Sequence, residues 1–85
     1  MARLADDAVT RAVPPLDARN LICPMPVIRT QEYIRQLAAG DEFDVIATDP
    51  GALLDIPAWC RIHGHEVLRT AETQPEIVIR IRVGD

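Results

Sequence analysis

The chain reads as a small α/β domain, an α+β two-layer sandwich of order βαβαββ with two helices packed on one face of a four-stranded mixed sheet. Three observations predict it. Apolar residues recur at helical spacing behind Cys23-Pro24-Met25-Pro26, and again through Leu53, Ile56 and Cys60. Between those stretches, Glu42 to Thr48 alternates polar residues with Phe43, Val45 and Ala47. The last twenty residues alternate on either side of one turn, Gln74-Pro75-Glu76, so only one sheet face carries enough apolar side chains to bury two helices.

Each element has its own signal. Residues 1–12 show no sustained period and read as a flexible N-terminal extension, with residues 13–85 forming the domain. Val13 to Asp17 forms a short first strand, where Pro14-Pro15 suits an edge or a strand beginning. After the loop Ala18 to Ile22, helix one runs from about Pro24 to Ala39 on Val27, Ile28, Ile34 and Leu37, with Gly40 as its C-terminal cap. Strand two is Glu42 to Thr48. Asp49-Pro50 matches an N-cap followed by proline at the first helical position, and a second helical segment extends to about His63, where Gly64 ends it. Pro57 predicts a kink within that segment, with Asp55 recapping a second helical piece. Glu66 to Thr73 and Ile77 to Val83 form a hairpin whose final strand turns Ile77, Ile79, Ile81 and Val83 one way and Val78, Arg80 and Arg82 the other.

Length and composition bound the possibilities. With 85 residues, a single domain buries only about 60–65% of the surface its unfolded chain exposes. No apolar run approaches the roughly 20 residues that span a bilayer, and residues 1–7 lack the apolar stretch of a secretory signal, which makes the cytoplasm the expected location. A net charge of −4 argues against nucleic-acid binding that relies on neutralising phosphates, and so favours protein partners. All nine basic residues are Arg and the chain has no Lys and no Ser. Schiff-base catalysis, P-loop phosphate binding and a serine nucleophile are therefore excluded.

The candidate reactive group is Cys23, which stands before a helix whose first turn contains Pro24 and Pro26. Both prolines fix φ, so the thiol sits on a stiff mount. The helix N-terminus is expected to favour a thiolate, the nucleophilic form of cysteine. Arg19 and Arg29 flank the motif and are candidate contacts for an anionic group or an acidic partner. Cys60 shares a helical face with Leu53 and Ile56 and reads as core, as do Trp59 and Phe43. Cys23, Cys60, His63 and His65 supply two thiols and two imidazoles, but at spacings unlike those of structural zinc sites, so no metal site is expected. His63 and His65 belong to the turn before strand three.

Three marks in order, Leu16-Asp17-Ala18, Cys23-Pro24-Met25-Pro26-Val27, and Asp49-Pro50 through Asp55-Ile56-Pro57 to Trp59-Cys60, make the chain resemble the TusA (SirA-like) sulfur-carrier family over about Leu16 to Val83. The resemblance implies that Cys23 accepts sulfane sulfur from a persulfide donor such as a cysteine desulfurase or rhodanese and relays it to an acceptor protein. It implies no cofactor, and it points to tRNA thiolation, molybdenum-cofactor sulfur supply or sulfur oxidation. Many relatives carry Lys at the position of Arg29 and a basic residue at that of Gln31. Such a protein is a persulfide sulfurtransferase in the sense of a carrier rather than a stand-alone turnover enzyme. The residues agree with it: a thioredoxin-like motif would place a second Cys where this chain has Pro26. Two other readings compete. One is a non-catalytic regulatory or interaction module on the same scaffold; the other is a thiol redox sensor that forms a Cys23–Cys60 disulfide.

Overall fold

The computed structural model describes residues 13–84. The elements are β1 (Leu16–Ala18), α1 (Met25–Ile34), β2 (Glu42–Ala47), α2 (Ala52–His63), β3 (Glu66–Thr73) and β4 (Glu76–Arg82). They form one four-stranded mixed sheet in the order β1-β2-β4-β3. β1 runs parallel to β2, while the β2–β4 and β3–β4 pairs are antiparallel. The βαβαββ order and the one-sided helix layer agree with the sequence reading. The extension expected over residues 1–12 lies outside the described residues.

The period-two pattern sets which face is buried. Phe43, Val45 and Ala47 of β2 and Ile77, Ile79 and Ile81 of β4 point to the helix layer and are buried with Ala52, Ile56 and Cys60 of α2. Tyr33 of α1 meets Phe43 edge-to-face, ring centroids 5.1 Å apart, and its hydroxyl donates to the Pro14 carbonyl. The opposite face is wet. There Arg80 pairs with Asp44 at 3.1 Å and Glu42 at 3.5 Å, and Arg82 bridges Glu42 and Glu66, so cross-strand ion pairs occupy the uncovered side.

Four expectations need correction. α1 ends at Ile34 rather than near Ala39, because the chain tightens into turns with Gln36 N–H donating to Tyr33 and Leu37 N–H to Ile34. Gly40 is therefore no helix cap. Its φ of +94° shapes the turn into β2, where its N–H donates to the Val83 carbonyl at 2.8 Å. The predicted break at Pro57 does not occur, and α2 runs unbroken from Ala52 to His63. A proline there, in the second turn, removes one hydrogen bond, while Ala52, Ile56 and Cys60 on either side of it stay buried in the core. The first strand begins at Leu16, just past Pro14-Pro15, and spans three residues.

Candidate functional site

Because β1 and β2 are parallel neighbours, the loops leaving their C-terminal ends emerge side by side, as open α/β sheets arrange their functional crevices. The first loop carries Cys23 and the second carries Thr48, Asp49 and the start of α2. Two side chains of the second clasp the first. Asn20 N–H donates to Thr48 Oγ1 at 2.9 Å, with Asn20 at φ +66°, a conformation asparagine tolerates. Cys23 N–H donates to Asp49 Oδ2, also at 2.9 Å. The other Asp49 oxygen accepts from Gly51 N–H at 3.3 Å; the expected Asp49 cap does not form, since α2 begins at Ala52 with Gly51 at its N-cap and no side-chain cap bond, and Asp49 instead fastens the cysteine loop to the approach to α2.

The thiol itself is held. Cys23 Sγ donates to Asp55 Oδ2 at 3.2 Å, linking the start of α1 to the first turn of α2. Asp55 is thus a partner of the Cys23 thiol and not the cap of a second helical piece. Cys23 is exposed, and the apolar side chains of Ile22, just before it in sequence, and Leu54, just before Asp55, are about three-quarters exposed at 74% and 77%.

The electrostatics overturn the expected thiolate. The Cys23 pKa is raised, first by its hydrogen bond to Asp55, then by desolvation, then by the charges of Asp55 and Asp49. Helix N-termini favour anions through unpaired N–H groups. Here Pro24 and Pro26 have none, Met25 N–H is bonded to the Ile22 carbonyl at 2.8 Å, and Val27 N–H to that of Pro24 at 3.1 Å. The prolines that stiffen the mount also remove the donors that would have stabilised the thiolate. In its resting form Cys23 is a thiol aimed at a carboxylate.

The remaining sequence candidates are dispersed. Pro24 is the N-cap of α1 and Pro26 is buried in its first turn. Arg19 is occupied by Asp17, at 2.9 Å from Nε and 3.0 Å from Nη2, and by Glu76 at 3.4 Å; this pairing holds the Asp17 carboxyl down to about 2. Arg29 is exposed on α1 with no ion-pair partner among the described residues. Cys60 is fully buried, and burial pushes its thiol up to about 11. His63 and His65 sit at the far end of α2, with ring centroids 4.7 Å and 5.3 Å from Trp59, so Trp59 belongs to a ring cluster at the edge of the core. Among the described residues, no group of three His, Cys, Asp or Glu side chains is placed to hold a metal ion. Two open grooves, one between Pro57 and Val67 and one between Arg35 and Trp59, are lined by neither Cys23, Asp49 nor Asp55.

Sequence reasoning singled out Cys23 and its prolines as candidates, but not Asp55, which pairs with the thiol, or Asp49, which holds the loop. The usable signal was the parallel β1–β2 pair, which brings the two post-strand loops together.

Residues 15–83 match the family model described as Sulfurtransferase TusA. The chain belongs to the TusA family. It is 45% identical over 67 residues to the sulfur carrier protein TusA of Pseudomonas putida strain F1, a match covering 79% of this chain and 84% of that one. It is 43% identical over 63 residues to the putative sulfur carrier protein YrkF of Bacillus subtilis, covering 74% of this chain but only 34% of YrkF. A crystal structure of the SirA-like protein from Desulfitobacterium hafniense superposes with a TM-score of 0.75 at 23% identity, covering 86% of this chain and all of that one. That likeness shows a shared TusA-type fold. No helix among the described residues is long and apolar enough to cross a membrane.

Proposed function

We propose that this TusA-family chain carries sulfur as a persulfide on Cys23, taking it from a donor protein such as a cysteine desulfurase or rhodanese and passing it to an acceptor protein. The observation that carries this reading is a single exposed thiol, fixed by Asp49 at its backbone and by Asp55 at its sulfur, while the other cysteine is buried. A persulfide survives only where no second thiol resolves it to a disulfide. Cys60, buried and with a raised pKa, is poorly suited to that attack and to a redox-sensing disulfide.

The surroundings favour delivery by a protein. Neither of the two grooves described above is lined by Cys23, and Ile22, just before Cys23 in sequence, and Leu54, just before its partner Asp55, are exposed and apolar, as at a site another protein covers. The exchange requires no metal or organic cofactor, and its proposed setting is the cytoplasm, where thiols stay reduced. tRNA thiolation, molybdenum-cofactor supply and sulfur oxidation are the candidate destinations, decided by the acceptor.

The test is to incubate the purified protein with a cysteine desulfurase and cysteine, or with a rhodanese and thiosulfate, and to read intact and peptide masses. One added sulfur on the Cys23 peptide, removed by reductant and absent from Cys23→Ala, is the expected result. A protein that takes up no sulfur from either donor, while Cys23→Ala keeps its partner binding, would instead be an interaction module.

A further inference from the structure

We propose that Asp55 is the proton acceptor for Cys23 during sulfur loading, so that the resting thiol is activated only as it attacks. This rests on the reading that Cys23 accepts sulfane sulfur. The pairing is specific to Asp55: Sγ donates to its Oδ2 at 3.2 Å, whereas both oxygens of Asp49 are taken by the backbone N–H groups of Cys23 and Gly51. Among the described residues, the thiol is the hydrogen-bond donor to the Asp55 side chain.

The step balances without an outside oxidant or reductant. Sγ attacks the terminal sulfur of a donor R–S–SH, forming the Cys23 S–S bond as the donor's S–S bond breaks, and the Cys23 proton moves to Asp55 Oδ2. The donor leaves as a thiolate, which takes the proton from Asp55 and departs as R–SH. The transferred sulfur keeps its hydrogen and its oxidation state, giving Cys23–S–SH with Asp55 again a carboxylate.

This arrangement makes two thiol reactions respond in opposite directions. Alkylation by iodoacetamide follows the thiolate population, which the Asp55 carboxylate suppresses. Sulfur loading would depend on Asp55 taking the proton. Asp55→Asn should therefore be alkylated faster than wild type at neutral pH, yet be loaded more slowly by glutathione persulfide, by about a hundredfold, as for loss of a general base. Its loading rate should climb about tenfold per pH unit, following thiolate, while the wild-type rate stays nearly flat over the same range. Asp55→Glu, which restores a carboxylate, should recover a substantial part of the loading rate.

Equal loading rates and pH profiles for wild type and Asp55→Asn would overturn the proposal while leaving Cys23 a carrier. A wild-type rate that itself climbs with thiolate would overturn it without any variant, should Asp55→Asn fail to fold. Wild type that takes up no sulfur, although its Cys23 is alkylated, would overturn the carrier reading along with it.

Discussion

Cys23 and Asp55, separated by 32 positions in sequence, are joined by a hydrogen bond from thiol to carboxylate at 3.2 Å. A cysteine ahead of a helix is ordinarily expected to be acidic. This one is held as a thiol, because the first turn of α1 spends its amides on carbonyls or lacks them at proline, and the sulfur donates to Asp55 in the first turn of α2, with Asp49 adding negative charge from the loop before it. The stiff mount and the acidic partner come from different elements, and the parallel β1–β2 pair brings them together.

Asp49 is the residue whose loss should loosen that mount. Its two oxygens satisfy the amides of Cys23 and Gly51, groups that Ala could not serve. Asp49→Ala is expected to lower stability by about 1 kcal/mol, the usual cost of losing such a side-chain-to-backbone bond. The Cys23 amide should also exchange with solvent much faster. Unchanged exchange at Cys23 in a folded Asp49→Ala protein would show that the loop is positioned by its apolar anchor, Leu21, instead.

The fold was legible because its strongest signals are local. Ile77, Ile79, Ile81 and Val83 alternate with Arg80 and Arg82, and the chain folds with those four isoleucine and valine residues inside. Errors arose where local rules compete with packing. Gly40 was in the right place to cap a helix, but tight turns after Ile34 ended α1 first. Pro57 obeyed its local rule by lacking an amide, yet Ile56 and Cys60 on the buried face of α2 held the helix together around it. The site divides in the same way. Cys23 announces itself through its neighbours in sequence, whereas Asp55 acquires its role only when a second loop folds beside the first, a contact that no periodicity encodes.

Cys60 should make the protein sensitive to alkali. Its folded-state pKa is raised to about 11 by burial, above the ordinary thiol value of about 8.5. For a group raised in the folded state, the stabilising contribution is fully present below the unfolded pKa and is lost as pH rises through the folded one. Stability should therefore fall between about pH 8.5 and 11, by an amount on the order of 1–3 kcal/mol for this shift. Urea midpoints across that range should drop more steeply for wild type than for Cys60→Ala, with any contribution from Cys23 common to both. Parallel curves for the two proteins would show that the Cys60 thiolate is accommodated without loss.

The opposite end of α2 should respond to acid. His65 Nδ1 accepts the Gly84 N–H at 3.0 Å, so a proton on that nitrogen would meet a donor in place of an acceptor. The His65 pKa is lowered, by desolvation first and then by the charge of His63. A base depressed in the folded state contributes stability above its unfolded value of about 6.5, and that contribution is lost as pH falls through the folded value. Urea midpoints should accordingly decline from neutral to mildly acidic pH more in wild type than in His65→Gln. Gly84 itself has no room for a side chain, since a Cβ there would lie 1.8 Å from the Gly64 carbonyl oxygen. Gly84→Ala must push the strand end away from His65, and is expected to cost roughly 1–3 kcal/mol. It should also flatten the acid response, because the amide that His65 accepts from would no longer be in reach. An acid response that survives in Gly84→Ala would assign the pH dependence to the burial of His65 and the charge of His63 instead.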